Sequence, residues 1–417
     1  MIKILCISDS LGMGGTEKSM FVFAKYLLKN KNFKVSICGF FEGGKIIEEA
    51  KEVGLKTFVC NGNFHKLKKI ILNEKTDIVH LNRSSNKMFE LIRFLKKETK
   101  VLLVETNHFG KITGNSEEKL VDLRIFVSKF VAMRYIEHKK MSLDEFKINN
   151  LVIYNPLDTK RIINFSKFKI NSFRKSIGLK NNDFVLLKYG RKDELKFSPL
   201  LIKSMSILSK KNDKFKLILI GAPDYIRKMV FVKKIQKSVI FFDNILDEEL
   251  LSLVLNSVDV LAHTSLIGET FGYVYVESML SGKPIITNST PLFDNAQVEL
   301  IDNNINGFIR NEPLTFSSII EDLSKKKFLY ELISKNALIR ANKFDVNLLG
   351  TDLINAYEYL IGKTPSLSPK TTTHDMLFSY INSYSLNKRG KQKNTFRSIL
   401  SEIEDFILKK YYSLLKK

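Results

Sequence analysis

The sequence predicts an α/β protein of two doubly wound lobes in succession, with a helical tail after them. The first observation is alternation. Short apolar runs at residues 2–8, 34–40, 56–60, 77–82, 101–106, 123–128 and 151–154 are separated by stretches with helical spacing, such as Met20, Phe23, Ala24, Leu27 and Leu28. Runs rich in Ile and Val that alternate with helices imply a parallel sheet covered on both faces. The second is a break at Asn155-Pro156, after which strand-like runs restart at 184–189, 215–221, 239–242, 258–263 and 284–288. Helices are expected over 199–209, 247–256 and 272–281, with further helical patterns through 328–342 and 346–359. The third is composition, because residues 362–373, GKTPSLSPKTTT, read as a linker. The expected organisation is a first lobe at 1–158, a second at 159–345, a helix at 346–361, a linker at 362–375 and a basic helical tail at 376–417. Sheets of this kind bind ligands beyond the carboxyl ends of their strands, and two facing lobes leave a cleft between them.

Composition narrows the class. With 44% apolar and 27% charged residues the 417-residue chain is an ordinary globular protein. No run of about 18 apolar residues is present, so no transmembrane helix is expected. The opening Met1-Ile2-Lys3-Ile4-Leu5-Cys6 runs into a strand and lacks the regions of a signal peptide. Cys6, Cys38 and Cys60 read as reduced core thiols of a cytoplasmic protein. The formal charge of +23 is read mainly as lysine on solvated faces, with attraction to phosphates or an anionic membrane as additions. Without RNP, zinc-finger or arginine-arm patterns, nucleic acid is not an expected partner.

The most informative stretch is Glu269-Thr270-Phe271-Gly272-Tyr273-Val274-Tyr275-Val276-Glu277, followed by Ser278-Met279-Leu280-Ser281-Gly282-Lys283-Pro284. A loop after the strand ending at Ala262-His263 delivers Glu269 to the start of a helix, where backbone N–H groups favour anions or sugar hydroxyls. Glu277 lies about one and a half turns into that helix. On their own, the two acids read equally well as surface and capping residues. This stretch resembles the E-x7-E signature of family-four retaining glycosyltransferases, the group one enzymes of GT-B type. The resemblance covers about residues 1–361 and implies two Rossmann-like lobes, with the helix near 346–359 crossing back to the first.

Three further elements fit that resemblance. Gly190-Arg191, with Lys196 five residues after Arg191, resembles the family's G-R-x4-K, whose cations grip the donor diphosphate. Two cations held at a strand end stabilise a departing phosphate without a metal, and losing one such contact costs on the order of 100- to 1000-fold in rate. In so basic a chain they would otherwise read as a solvated loop. Gly12-Met13-Gly14-Gly15-Thr16-Glu17 resembles the G-G-x-E loop, whose amides approach the donor phosphate and acceptor. A lone histidine is more often structural, but His108, at a strand end, matches a family position beside the donor sugar; His80 is read as structural. Phe293 to Glu299 departs from the family's glycine pair before P-E, in a loop that borders the donor sugar and phosphate there.

The resemblance implies catalytic roles for Glu269, His108, Arg191 and Lys196, and donor binding by Gly14, Gly15, Arg191, Lys196, Thr270, Phe271, Gly272 and Glu277. No metal is implied, since DxD, HExxH and Cys–His clusters are missing, and no cofactor beyond a nucleotide sugar as substrate. The acceptor would be a glycan or lipid-linked molecule, as in bacterial surface polysaccharide biosynthesis, with the enzyme in the cytoplasm or at a membrane's cytoplasmic face. Two alternatives are a degenerate GT-B scaffold and a nucleotide-dependent oxidoreductase. The second would use Glu42 as a ribose-binding acid, but Glu17 stands where its third glycine is needed. In the tail, Ile399, Ile403, Phe406, Ile407, Tyr411 and Leu414 form an apolar stripe beneath the basic run at 388–393. Packing on protein, including homo-oligomerisation through the tail, is favoured there over peripheral membrane contact, because Glu402, Glu404 and Asp405 would oppose an anionic surface.

Overall fold

The computed structural model describes residues 1–364 and 367, apart from 84–87, 111–115, 160–162 and 246. The tail stripe and its basic run lie outside the described residues. The first sheet contains β1 (Ile2–Ser8), β2 (Phe33–Gly39), β3 (Lys56–Val59), β4 (Ile78–Arg83), β5 (Leu102–Asn107), β6 (Leu123–Phe126) and β7 (Asn150–Val152). Their order is β3-β2-β1-β4-β5-β6-β7, and every pairing is parallel. The second sheet contains β8 (Phe184–Tyr189), β9 (Phe215–Ile220), β10 (Val239–Phe242), β11 (Val260–His263), β12 (Ile285–Thr287) and β13 (Phe308–Ile309). It runs β10-β9-β8-β11-β12-β13, again all parallel. The chain reverses its direction of sheet growth between β1 and β4 and between β8 and β11. Loops leaving such switch points open a crevice.

The central strands are buried on both faces, as in β1, where Ile4, Leu5, Cys6 and Ile7 are all core residues. That is the reason they read as continuous apolar runs rather than alternating ones. Two differences from the expected elements stand out. β13 has only two residues, too few for any periodicity, although Asn306-Gly307-Phe308 marks its start. β11 begins at Val260 rather than Val258; just before it Asp259 bonds to the Val185 backbone of β8, donating its amide at 2.8 Å and accepting on its carboxylate at 2.7 Å.

Two segments pass between the lobes side by side. The Leu157 amide donates to the Phe344 carbonyl at 2.8 Å, and the Val346 amide donates to the Leu157 carbonyl at 2.9 Å. Asp345 then caps helix Val346–Leu360, accepting from the Asn347 amide at 2.8 Å. This helix lies against the first-lobe helix Gly15–Leu28. Gly350 allows the close approach, since a Cβ there would strike the Tyr26 ring. At its end the Tyr357 hydroxyl meets His80 Nδ1 at 2.6 Å, while His80 Nε2 meets Thr106 Oγ1 at 2.7 Å. Burial holds His80 neutral, with its pKa lowered to about 3, so it acts here as a hydrogen-bonding core residue.

A carboxylate closes the seam between lobes. Glu299, on the short helix Gln297–Leu300 of the second lobe, reaches the N-terminus of first-lobe helix Lys129–Lys139. It accepts from the Lys129 amide at 3.0 Å, from the Phe130 amide, and from the Tyr154 hydroxyl at 3.2 Å. The helix start favours negative charge, yet burial pushes the Glu299 carboxyl up to about 7 against these donors. A folded-state pKa above the ordinary 4.5 means that this residue stabilises the fold below pH 4.5 and loses that contribution as pH rises through 7. Glu299→Gln, neutral at every pH, should therefore lack that step. Thermal unfolding across pH 4–8 should show the variant gaining on the parent, by on the order of 1–3 kcal/mol above pH 7.

Candidate functional site

From the first lobe, the loop after β1 delivers a helix N-terminus to the cleft. Gly14 is the N-cap of helix Gly15–Leu28, and a Cβ at that position would run into the Glu17 carboxylate. Glu17 is buried in the first turn and accepts from Ser10 Oγ at 3.1 Å. Burial raises its pKa, opposed in part by Ser10 and by the positive charge of Arg191 from the other lobe. Gly15 is exposed at the start of the helix, where a Cβ would lie 3.6 Å from the Tyr273 ring of the second lobe. Unpaired amides and the helix dipole give this end a positive potential.

From the second lobe, the loops after β8 and β11 are tied together. Asp193 caps the 3₁₀ turn Glu194–Lys196, accepting from the Leu195 amide at 2.9 Å. The Leu195 carbonyl in turn accepts from the Leu266 amide at 2.9 Å and from Ser265 Oγ at 3.1 Å. So fixed, Lys196 Nζ donates to the Gly268 carbonyl and to Glu269 Oε2, each at 2.8 Å. His263 Nε2 lies 3.3 Å from Glu269 Oε1. Burial pushes the Glu269 carboxyl up, but Lys196 and His263 outweigh it and hold the pKa at about 2. Glu269 is thus a permanent anion with two partners. Arg191 is exposed beside this arrangement.

The next helix, Tyr273–Leu280, starts at Gly272, whose φ of 95° suits glycine and whose Cβ would meet the Tyr275 ring at 2.6 Å. Glu277 points back to the cleft, where Oε2 accepts from the Tyr189 hydroxyl at 2.8 Å and Oε1 pairs with Lys18 of the first lobe. Lys18 also sits 4.9 Å from the Tyr273 ring centroid, and the Tyr273 hydroxyl donates to the Pro156 carbonyl at 3.1 Å. Thr270 is half-buried in the same loop. Phe271 turns away into the joint between lobes, with ring centroids 6.2 Å from Tyr154 and 5.6 Å from Phe344.

His108 is buried just after β5. Its neighbour Asn107 shapes the turn, accepting from the Phe109 and Gly110 amides at 3.2 and 2.8 Å. Arg134 holds the same turn through the Phe109 carbonyl at 3.2 Å and pairs with Asp294 of the second lobe at 2.8 Å. The loop carrying Asp294 touches Glu269 as well: its amide donates to Gln297 Oε1 at 3.1 Å, and the Ala296 amide donates to its carbonyl at 2.8 Å.

The structure thus joins Lys196 directly to Glu269 and brings Arg191 within electrostatic reach of Glu17 near Gly14. His108 stays buried in the first lobe, in a turn that Arg134 ties to Asp294 of the second. Sequence reasoning missed Lys18, Tyr189, Lys188 and His263. Lys188 and His263 were visible as lone basic residues inside apolar runs, where a strand buried on both faces has no cause to carry them.

Residues 169–339 match the model of the group 1 glycosyl transferases. An uncharacterized glycosyltransferase of Methanocaldococcus jannaschii is 29% identical over 161 residues, 37% of this chain and 39% of that protein. The alpha-monoglucosyldiacylglycerol synthase of Streptococcus pneumoniae is 23% identical over 261 residues, 60% of this chain and 54% of that protein. The chain thus spans well under two thirds of either curated relative. Among solved structures, a Rickettsia africae glycosyltransferase superposes with a TM-score of 0.74 at 20% identity, covering 87% of this chain and 99% of that one. Anabaena HepE, solved with UDP-glucose, gives 0.71 at 20%, covering 86% and 100%. At such identities the likeness speaks for the fold. With two parallel sheets meeting at a cleft, this is a GT-B protein. Residues 169–339, most of its second lobe, are similar to the group 1 glycosyl transferases.

One glycine controls the Glu269 loop. Gly268 has φ +65°, and a Cβ there would collide with the Asp294 carbonyl and Thr290 Oγ1. Gly268→Ala should displace the carbonyl that Lys196 holds and lower stability by about 1–3 kcal/mol. Its thermal midpoint and nucleotide binding should both fall.

Proposed function

We propose that the chain is a retaining glycosyltransferase that moves a sugar from a nucleoside diphosphate donor to a hydroxyl of a glycan or lipid-linked acceptor, without a metal. The observation that carries this reading is the Lys196–Glu269 pair at 2.8 Å, in a lobe whose Arg191 acts electrostatically on Glu17 in the first turn of the Gly15 helix. Cations and a helix N-terminus suit a diphosphate, and an anchored carboxylate suits sugar hydroxyls. Neighbouring folds solved with UDP and with UDP-glucose support a nucleotide sugar as the partner.

In this reading the acceptor hydroxyl attacks on the face from which the nucleoside diphosphate leaves. A phosphate oxygen of the leaving group takes the hydroxyl proton. Arg191 and Lys196 stabilise the charge that develops there. Glu269 holds the donor sugar, with Thr270, Phe271 and Gly272 lending backbone. Glu277 accepts from the ribose hydroxyls in place of Lys18, which occupies Oε1 in the structure. His108 and the Gly14–Gly15 amides complete the site on the first lobe. The enzyme would act in the cytoplasm, at the inner face of a membrane where the acceptor is lipid-linked. Among the described residues no helix is long and apolar enough to cross that membrane.

A screen of nucleotide sugars by thermal stabilisation tests the donor assignment. A true donor at about 100 times its Kd should add roughly 2.7 kcal/mol, and a flat response to every nucleotide sugar would refute it. With the donor known, Arg191→Ala or Lys196→Ala should each lower kcat on the order of 100-fold or more, the fold being retained by circular dichroism. The two acids should separate in binding experiments. Glu277→Ala should weaken the free nucleoside diphosphate, while Glu269→Ala should impair only the intact donor. Equal losses of free-nucleotide affinity would contradict this division of roles.

A further inference from the structure

Beneath Glu269 lies a row of buried polar groups to which the proposed transfer gives no part. Lys188 sits on β8 within an apolar run and is 1% exposed, with its ammonium 4.5 Å from the Phe197 ring centroid. Its Nζ is 3.1 Å from Nδ1 and 3.2 Å from Nε2 of His263, at the end of β11 and also 1% exposed. His263 Nε2 in turn lies 3.3 Å from Glu269 Oε1, and the Tyr275 ring packs edge-on against the imidazole at 5.0 Å.

A buried ammonium is unfavourable unless an opposite charge compensates it. The anion acting on Lys188 is Glu269, one imidazole away. The hydrogen-bonding pattern has one consistent arrangement. An ammonium has only donors, so Lys188 donates to Nδ1. Nε2 then carries the ring proton and donates to Glu269 Oε1. Oε2 is already held by Lys196. Both carboxylate oxygens are thereby anchored from within the second lobe, leaving outward lone pairs to accept hydroxyls.

We propose that Lys188 and His263 are positioning residues, which hold the Glu269 carboxylate ionised and aimed at the hydroxyls of the donor sugar. This rests on the reading of Glu269 as the donor-sugar ligand. Without Lys188 the imidazole loses the donor that sets its tautomer, and Glu269 keeps one anchor instead of two. Nucleoside diphosphate binding runs through Arg191, Glu277 and Lys196, and Lys196 keeps its anchor on the Gly268 carbonyl when Lys188 or His263 is replaced.

The row also has a pH dependence. Burial lowers the Lys188 pKa to about 7, with Lys196 acting in the same direction and Glu269 against it. Burial first, then Lys188, lowers His263 to about 4, so the imidazole stays neutral at working pH. The Tyr275 ring packs against His263, and its hydroxyl is engaged with Thr287 Oγ1 at 2.9 Å. Burial raises the Tyr275 pKa well above its ordinary value, so that hydroxyl also stays neutral. Lys188 therefore loses its charge as pH rises through 7, and donor use should decline on that alkaline limb.

The test uses full-length Lys188→Met, Lys188→Arg and His263→Gln chains with the donor found by the nucleotide-sugar screen. Lys188→Met and His263→Gln should raise the donor KM roughly 10- to 100-fold and leave the nucleoside diphosphate Kd unchanged. Lys188→Arg, charged at every pH, should restore donor use and abolish the alkaline decline. Variants that bind the nucleoside diphosphate and keep the parental donor KM and pH profile would overturn the proposal. So would parallel losses of donor use and nucleoside diphosphate affinity, the mark of general damage to the lobe. A parent chain that responds to no nucleotide sugar would instead overturn the reading of the site itself, before any variant is made.

Discussion

Carboxylates of the second lobe that are satisfied by groups of the first decide how the two halves meet. Glu299 is buried at the seam, and its three donors, the Lys129 and Phe130 amides and the Tyr154 hydroxyl, all belong to the first lobe. A buried carboxyl without those donors would be strongly disfavoured. The relative placement of the lobes is therefore specified by hydrogen-bond geometry as well as by apolar contact. The rings of Tyr154, Phe271 and Phe344 supply the apolar part beside it. Lys18 with Glu277, and Arg134 with Asp294, add ion pairs at two more points across the boundary.

The cleft inherits its chemistry from this closure. Its groups come from loops at the two switch points: Gly14 after β1, Arg191 and Lys196 after β8, and Glu269 after β11. Parallel sheets place such loops at one end, and helices begin there, so backbone donors and side-chain cations accumulate at the same edge. Acids in that setting need separate support. Glu269 is held ionised by Lys196 and His263, whereas Glu299, with neutral donors and deeper burial, is pushed the other way. One small lobe thus carries glutamates with opposite protonation behaviour, set by which neighbours are charged.

Much of this was legible in the sequence because burial on both sheet faces leaves an unmistakable run of Ile, Val and Leu. Central strands such as β1, β8 and β9 have such runs; the edge strand β3, KTFV, and β13, with two residues, do not. The motif residues Glu269, Glu277, Arg191 and Lys196 could be picked out by spacing, and Gly14 by its place after the first strand. Lys188 and His263 stood out as lone basic residues in apolar runs, but nothing local said what they face, since a single such residue does not alter the run's pattern. Glu299 was legible only as part of a loop that departs from a familiar form. Its partners lie 145 to 170 residues away in the chain.

By itself, then, the amino-acid sequence determined the alternation of strands and helices, the two-lobed division and which cations and acids stand at motif spacing after the strands. These follow from local periodicity and short spacings, which need no knowledge of what packs against what. Tertiary structure alone decided that Lys188 stands behind His263 and Glu269, that Lys18 answers Glu277, and that Phe271 belongs to the joint. Each depends on contacts between segments far apart in the chain, and the energy of a buried charge is set by whichever groups the fold brings within a few ångströms of it.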